Sequence, residues 1–283
     1  YCKAFGVSDI HTGVPMAEDA IFRFYSNSKV FGGAVGLNLQ AQGQLSLEDP
    51  VSKYIPSFQQ DWSILKQDEN GTDAVAIFNA LTGDRRELRY RLEPNMVNMR
   101  LKHLLSEKSG IGYDFLLGDT SLACNTLREM VATPELYFTS RRIVGSSLSL
   151  EDFCDVIADA GVLTAQPGEA SYGHGATVFG RIVELTQNTK LSAYLDETLF
   201  EPCDMDVRFF FSDEDPQAAQ VPGMYAPVSS KNAGYTMVPC QESVKNSTNH
   251  TDHFAGPRAC ESLDTGLCMP VGSYAKFFDV LLN

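Results

Sequence analysis

Apolar residues recur with helical spacing in several segments of the chain. In the first, residues 28–42, apolar side chains three and four positions apart predict a buried helix that stops at Gly43. Gly32, Gly33 and Gly36 weaken this helix but allow another element to pack closely against it. The same spacing predicts further helices at residues 99–106, 122–132, 150–160, 177–187 and 273–282.

Short extended runs and turns separate the helices. The aromatic residues at 22–25 lead from a predicted strand into the first helix, and residues 207–211 are typical of a strand. Residues 62–93 contain repeated turn signals, which predict loops and short extended pieces. Because no internal repeat or linker interrupts this mixed order, we predict a single domain over residues 1–283, with a mostly helical subdomain at about residues 50–205.

Composition and charge limit the class of partner. With 283 residues, 43% of them hydrophobic, the chain can bury a sizeable core. Its formal net charge of −14 repels phosphate backbones and anionic lipid surfaces, which argues against a nucleic-acid partner. No window approaches the roughly 18 apolar residues of a membrane span. These patterns leave the oligomeric state open.

Cysteines and glycosylation sequons bear on the compartment. Seven cysteines cannot all pair within the chain, and none of their spacings matches a CxxC zinc or redox motif. Sequons begin at Asn70, Asn246 and Asn249, which favours secretion or another oxidising compartment, although one or two sequons arise by chance. His250 and His253 lie in a polar loop of a kind that usually binds no metal, so no metal or cofactor is expected.

A serine and a lysine one helical turn apart face the same side of a helix, where the amine can activate the hydroxyl as a nucleophile. The second and third of the chain's Ser-x-x-Lys pairs fall in the predicted loop region and on a terminal amphipathic helix, where coincidence and packing explain them. Only the first stands at a predicted strand-to-helix junction. The three pairs, in chain order, are Ser26 with Lys29, Ser63 with Lys66, and Ser273 with Lys276.

The junction at Ser26 suits acyl transfer. Backbone N–H groups of the first helical turn and the positive end of the helix dipole can stabilise an oxyanion there. Partial burial and the dipole are expected to lower the pKa of Lys29, so that the neutral amine accepts the Ser26 proton without a histidine triad. The alternative is that Ser26 or Ser28 only caps the helix and that Lys29 is solvated.

A second candidate is the turn at residues 167–174, which ends in Tyr172, Gly173 and His174 immediately before a predicted helix. Tyr172 can pass a proton to a leaving group if a nearby lysine lowers its pKa. The alternative is that this tyrosine is structural, as most tyrosines in turns are.

Several short sequence motifs, spread over most of the chain, occur in a specific order and at specific spacings. They are residues 22–29, residues 42–56, His103 to Leu105 with Ser109 and Gly110, Pro167 and Gly168 with residues 172–174, and residues 200–205. Together these blocks resemble the serine β-lactamase and penicillin-binding-protein superfamily, and within it the class C-like branch that includes esterases.

The resemblance implies an α+β protein of the β-lactamase/transpeptidase-like fold, with a mostly antiparallel sheet, helices on its faces and an all-helical subdomain. It also implies Ser26 as the acylated nucleophile, Lys29 as its base and Tyr172 as general acid/base. The third position of the tyrosine motif is usually Asn in this superfamily. Here it is His174, which we expect to bind the substrate carbonyl or to orient Lys29.

The third motif of the superfamily, Lys or His followed by a small residue and Gly, has no clear counterpart in this chain. His11-Thr12-Gly13 and Asp264-Thr265-Gly266 look similar, but neither is expected to serve. The superfamily normally continues with further strands, so we expect the sequence to be a fragment that lacks the last strands and an opening helix.

These observations predict a serine acyl hydrolase that works through an acyl-enzyme, has a small-molecule ester or amide as its substrate and needs no cofactor. An esterase is our first choice. One alternative is a β-lactamase or D-alanyl-D-alanine carboxypeptidase-type amidase that uses the same residues. Another is a non-catalytic scaffold, because loss of the oxyanion strand costs about 10²- to 10³-fold in rate.

Overall fold

The structure, a computed structural model, describes most of the chain with several gaps. The described residues are 2–59, 61–71, 73–78, 85–112, 149–210, 215–223, 225–230, 234–239 and 260–282. The predicted helix at 122–132, His250, His253 and the sequons at Asn246 and Asn249 lie outside them. In the described part, no helix is both long and apolar enough to cross a membrane.

Backbone contacts divide the chain into two compact units. The first unit comprises Tyr1–Tyr25, Ser192–Arg258 and Thr265–Asn283, and the second comprises Ser26–Leu191 and Ala259–Asp264. In chain order, the described helices and strands are β1 (Ile21–Arg23), α1 (Lys29–Ala41), β2 (Ser63–Gln67), β3 (Asp73–Phe78), β4 (Arg85–Pro94), α2 (Leu101–Leu105), α3 (Leu150–Ala160), β5 (Val162–Leu163), α4 (Gly175–Gln187), α5 (Leu191–Leu195), β6 (Tyr225–Ser230), β7 (Gly234–Pro239), β8 (Cys268–Pro270) and α6 (Val271–Leu282).

In its described part, the first unit holds two small antiparallel sheets, most of α5 and the last helix. Strand β1 pairs with β8, and β6 pairs with β7. The strand predicted at 207–211 is reduced, in its described part, to one bridge between Arg208 and Cys268. On α6, the Ser273 hydroxyl is buried and accepts a hydrogen bond from Asp206 N, so this serine has a structural role.

The second unit has a helical core around α1. Helix α1 lies within the predicted range 28–42 and buries Phe31 and Leu39 completely. A Cβ added at Gly36 would lie 2.4 Å from a Leu105 side-chain carbon and 3.2 Å from the Phe179 ring. The glycine therefore lets α1 pack closely against α2 and α4, as the sequence predicts.

Helix α3 has the bounds that the sequence predicts, because its N-terminal cap is encoded locally. The Ser149 hydroxyl accepts a hydrogen bond from Asp152 N at 3.1 Å, and the Asp152 carboxylate accepts one from Ser149 N at 2.8 Å. The helix ends at Gly161, which adopts the left-handed conformation with φ of 60°.

Replacing Ser149 with alanine is expected to lower the free energy of unfolding by about 1 kcal/mol, because the backbone N–H of Asp152 loses the hydroxyl that caps it. Urea denaturation followed by circular dichroism measures the change. Ser149→Thr keeps a capping hydroxyl and serves as the control. Equal losses in the two variants would contradict the capping role.

The second unit also contains a four-stranded sheet in the order β3, β4, β2, β5. Strand β2 pairs antiparallel with β4 and parallel with β5. The short extended pieces expected at 62–93 are present, but they pair into a sheet that the sequence did not predict, and the subdomain predicted at about residues 50–205 holds this sheet as well as helices. Ser63 and Lys66 lie on strand β2, where residues three apart point to opposite faces, so this pair cannot act together.

Candidate active site

The backbone turns sharply where Ser26 stands. Strand β1 ends at Arg23, and a 3-10 turn over Tyr25–Ser28 leads directly into α1. Tyr25 takes a φ of 43°, a left-handed conformation that is uncommon for a residue other than glycine and that is often found at functional sites. Ser26 is exposed, whereas Ser28 is completely buried. The predicted strand-to-helix junction is confirmed, and Ser26 is accessible.

Lys29 points into the second unit rather than into solvent. Its side chain is only 11% exposed. The Nζ atom donates hydrogen bonds to Gly173 O at 2.5 Å and to Asp264 Oδ1 at 2.8 Å, and it lies 3.1 Å from Glu107 Oε1. Ser28, at the N-cap of α1, makes no side-chain capping bond. The alternative of a capping serine with a solvated lysine is therefore wrong.

The same contacts overturn the expected pKa of Lys29. Burial lowers the pKa of this amine, but the Asp264 and Glu107 carboxylates outweigh burial and raise the pKa above its ordinary value. Burial and the helix dipole follow from the local sequence, whereas the two carboxylates reach Lys29 only through the fold. In this arrangement Lys29 is an ammonium rather than a ready base.

Asp264 is the most buried charged group of the site, with its side chain 1% exposed. It accepts hydrogen bonds from Lys29 Nζ, from Thr177 N and from Thr177 Oγ1. His174 Nδ1 lies 3.1 Å from Asp264 Oδ2. Burial alone raises the pKa of the Asp264 carboxyl, but the Lys29 ammonium and the hydrogen bond from His174 hold it at about 2.

Asp264 has a role that the sequence did not suggest. The Asp264-Thr265-Gly266 sequence is set aside only as a third motif, and its aspartate contacts Lys29 across 235 positions of the chain. It contributes as the partner of Lys29, not as the Lys or His of an oxyanion strand. Spacing alone could not reveal it, because no local pattern links two residues so far apart.

Glu107 is a second carboxylate that the sequence did not single out. It follows α2 in the left-handed conformation, with φ of 54°. Its Oε1 lies 3.1 Å from Lys29 Nζ, while its Oε2 accepts a hydrogen bond from Gly173 N at 2.8 Å. Its backbone carbonyl accepts another from Ser171 N at 2.8 Å. Glu107 thus ties α1 to the turn that carries Tyr172.

Tyr172 lies beside Lys29. The Nζ atom of Lys29 is 4.9 Å from the centroid of the Tyr172 ring, within the range of a cation–π contact. Tyr172 is 40% exposed, so the residue remains accessible. The next residue, Gly173, forms a bridge with Gly112, and a Cβ at Gly173 would lie 1.9 Å from Ile111 O. The structure brings Lys29 and Tyr172 together, while the role of Tyr172 in proton transfer stays a prediction.

His174 is buried behind Asp264, with 7% of the residue exposed. An ionised carboxylate only accepts hydrogen bonds, so Nδ1 of His174 carries the proton shared with Asp264. The ring packs edge-on against Phe153 at 5.3 Å between centroids. This geometry fits the orienting role, exerted on Lys29 through Asp264. Binding of a substrate carbonyl by His174 stays a prediction.

In the second unit, the structure brings the buried ammonium of Lys29 beside the partly exposed Tyr172, and Ser26 is exposed three residues before Lys29 in the chain. A serine hydroxyl can attack a carbonyl carbon, and the amine and phenol can carry the protons of such a reaction. Among the described residues, no group of three or more His, Cys, Asp or Glu side chains could hold a metal ion.

The chain is similar in sequence to known proteins over most of its length. A family model described as Beta-lactamase matches residues 1–283. Esterase EstB of Burkholderia gladioli is 27% identical over 228 residues, which are 78% of this chain and 46% of EstB. Protein Rv1367c of Mycobacterium tuberculosis is 24% identical over 280 residues, 98% of this chain and 58% of that protein. The chain thus spans about half the length of the curated relatives it matches.

Solved structures show the same fold. Unliganded simvastatin synthase LovD from Aspergillus terreus matches with a TM-score of 0.64 at 21% identity, over 100% of this chain and 59% of LovD. EstCE1, described as a hydrolase with promiscuous acyltransferase activity, matches with a TM-score of 0.61 at 18% identity, over 99% of this chain and 64% of EstCE1. The predicted β-lactamase/transpeptidase-like α+β fold is confirmed.

Proposed function

The chain belongs to the beta-lactamase family, and on that premise we propose that it is a serine acyl hydrolase that cleaves a small-molecule ester through an acyl-enzyme at Ser26. The observation that carries the proposal is the arrangement around Lys29. An exposed hydroxyl stands one turn before a buried amine, and a tyrosine ring lies 4.9 Å from the nitrogen of that amine.

In the first half of the proposed reaction, the Ser26 oxygen attacks the carbonyl carbon of the ester. Lys29, after losing one proton to solvent, accepts the hydroxyl proton as the new carbon–oxygen bond forms. The bond to the alcohol then breaks, and Tyr172 delivers a proton to the departing oxygen. In the second half, water attacks the acyl carbonyl and gives one proton to the Tyr172 phenolate. The bond to the Ser26 oxygen then breaks, that oxygen takes back the proton held by Lys29, and the acid is released.

Two features support an ester as the substrate. The relative from Burkholderia gladioli is named an esterase. His174 occupies the motif position at which the superfamily usually has Asn, and its Nδ1 is bound to Asp264. That nitrogen is therefore not available to bind a substrate amide.

Labelling with a fluorophosphonate probe, followed by peptide mass spectrometry on the protein at its natural full length, tests the proposal. We expect the label on the peptide that contains Ser26, and we expect Ser26→Ala to lose it. Hydrolysis of p-nitrophenyl butyrate should fall by about 10³-fold or more in this variant. Ser63→Ala, which alters the serine of the Ser-x-x-Lys pair on β2, is the matched control and should keep both signals.

Each other outcome has a definite meaning. A label on another residue, or undiminished ester hydrolysis in Ser26→Ala, overturns the assignment of the nucleophile. Turnover of nitrocefin with no ester hydrolysis replaces the esterase with the amidase alternative. Absence of labelling and of turnover in the folded wild-type protein favours the non-catalytic scaffold.

A further inference from the structure

The three acceptors around Lys29 match a charged amine. A lysine ammonium has three N–H donors and no acceptor. Its nitrogen faces a backbone carbonyl oxygen of Gly173 and one carboxylate oxygen each from Asp264 and Glu107. None of these oxygens can donate a hydrogen bond to the lone pair of a neutral amine. Lys29 must therefore give up a proton, and weaken at least one of these contacts, before it can accept the proton of Ser26.

Buried donors other than Lys29 also fix Asp264 in place. Thr177 donates to its carboxylate from both the backbone N–H and the hydroxyl, and His174 Nδ1 donates at 3.1 Å. The Thr177 hydroxyl in turn lies 2.8 Å from the Ser262 hydroxyl. These side chains are all buried. The carboxylate of Asp264 therefore cannot turn away from Lys29 without leaving buried donors unpaired.

The side chains that face Lys29 from the described elements differ in the strength of their electrostatic effect on its ammonium group. Glu107 comes from the end of α2 with 27% of its side chain exposed, and Tyr172 comes from the turn before α4. His174 lies one step further away, behind Asp264. Only 1% of the Asp264 side chain is exposed. Because water screens it least, Asp264 exerts the strongest attraction on the ammonium.

We propose that Asp264 is a positioning residue that holds Lys29 in its charged form and thereby sets the acidic limb of the pH–rate profile. The inference rests on the proposed function, since it concerns the base of that reaction. The proton that Lys29 loses goes to solvent and not to Asp264, whose carboxyl keeps a pKa of about 2. The raised pKa of Lys29 agrees with this role, because a higher pKa leaves less neutral amine at any given pH.

The variant Asp264→Asn removes the negative charge of this side chain and keeps nearly the same shape. Its amide oxygen can still accept from Lys29, and its amide nitrogen can donate to His174 Nδ1 once that ring changes its tautomer. Removing the negative charge is expected to lower the pKa of Lys29 by about one to three units. The acidic limb of kcat/KM, which reports groups of the free enzyme, should move to lower pH by the same amount.

The experiment combines kinetics with a direct titration of the lysine. We would measure kcat/KM for p-nitrophenyl butyrate from pH 6 to pH 10 and titrate Lys29 by NMR of lysine labelled at Cε. The wild type should keep rising to the alkaline end of this range, whereas Asp264→Asn should level off at lower pH. Asp264→Glu restores the charge and should return the limb toward the wild-type position. Asp68→Asn, which removes a carboxylate bound to Arg91 instead, should leave the profile unchanged.

The outcomes keep this inference distinct from the proposed function. Coincident profiles and equal Lys29 titrations in wild type and Asp264→Asn overturn the role of Asp264, even if Ser26 is the nucleophile. If Ser26 is labelled neither in the wild type nor in Asp264→Asn, the proposed function is overturned. The NMR titration of Lys29 still decides the role of Asp264 in that case. If Asp264→Asn does not fold, Glu107→Gln at the more exposed carboxylate should shift the Lys29 titration in the same direction by a smaller amount, and no shift there overturns the inference.

Discussion

Replacing Lys29 with methionine is expected to lower the free energy of unfolding at pH 7 by about 3–5 kcal/mol. Methionine fills much of the same volume but leaves the Asp264 carboxylate buried without its cation. Removal of one partner from a buried ion pair costs more than the pair contributes, because the remaining charge has lost both water and its counterion. The variant should also lose ester hydrolysis, since it removes the amine that the proposed reaction uses as its base.

The pH dependence of this loss follows from Asp264. In the wild type, its folded-state pKa of about 2 lies below the ordinary value of 3.8, so its contribution to stability is present above pH 3.8 and is lost as the pH falls toward 2. In Lys29→Met, burial without the ammonium raises that pKa, and protonation then relieves the unpaired charge. The stability deficit of the variant should therefore shrink as the pH is lowered from 7 to 4.

Urea denaturation at both pH values measures the effect. Lys53→Met is the matched control, because it breaks an ion pair with Asp49 in which the lysine is 54% exposed, and it should change stability little. The double variant Lys29→Met with Asp264→Asn should recover part of the loss, because no buried charge is left unpaired and the amide oxygen can still accept from Thr177 N. An equal loss in the two lysine variants, or a loss that does not depend on pH, would contradict the buried ion pair.

Two glycine-to-alanine substitutions are expected to have opposite effects. At Gly173 a new Cβ would lie 1.9 Å from Ile111 O, so the turn that carries Tyr172 and His174 must move. We expect a loss of about 1–3 kcal/mol or more, together with reduced ester hydrolysis. At Gly33, inside α1, a Cβ meets nothing within 4 Å. Alanine there should stabilise the protein by about 0.5–1 kcal/mol, because glycine is a poor helix former.

Thermal unfolding and ester hydrolysis, measured side by side, test this pair. Gly173→Ala should melt at a lower temperature than the wild type and lose activity, and Gly33→Ala should melt at a higher temperature and keep it. Destabilisation by both alanines would mean that the space around α1 is tighter than the structure shows. Unchanged activity in Gly173→Ala would show that the exact position of the turn does not matter for the reaction.

Local signals account for what the sequence could predict. The bounds of α3 follow from Ser149 and Asp152, and the start of α1 follows from the junction after β1. Lys29 and Tyr172 were singled out from their own motifs, and the structure brings the two together. Each of these features could be predicted because its signal lies within a few neighbouring residues or in the residue spacing of one helix or turn.

Other features needed contacts that no local pattern encodes. Asp264 meets Lys29 across 235 positions of the chain, and Glu107 reaches it from the end of another helix. Without these carboxylates, the pKa of Lys29 was predicted in the wrong direction. Strand β4 is a different case, because Leu88, Tyr90 and Leu92 alternate with charged residues in its sequence. That period of two is a strand signal, and the surrounding turn residues obscured it.

Both carboxylate oxygens of Glu107 make contacts within the site. One of its oxygens contacts the amine of Lys29, and the other holds the N–H of Gly173, directly after Tyr172. One side chain therefore helps to position both Lys29 and the turn that carries Tyr172. A ligand group that displaced this carboxylate would weaken both contacts at once, so Lys29 and the turn would shift together.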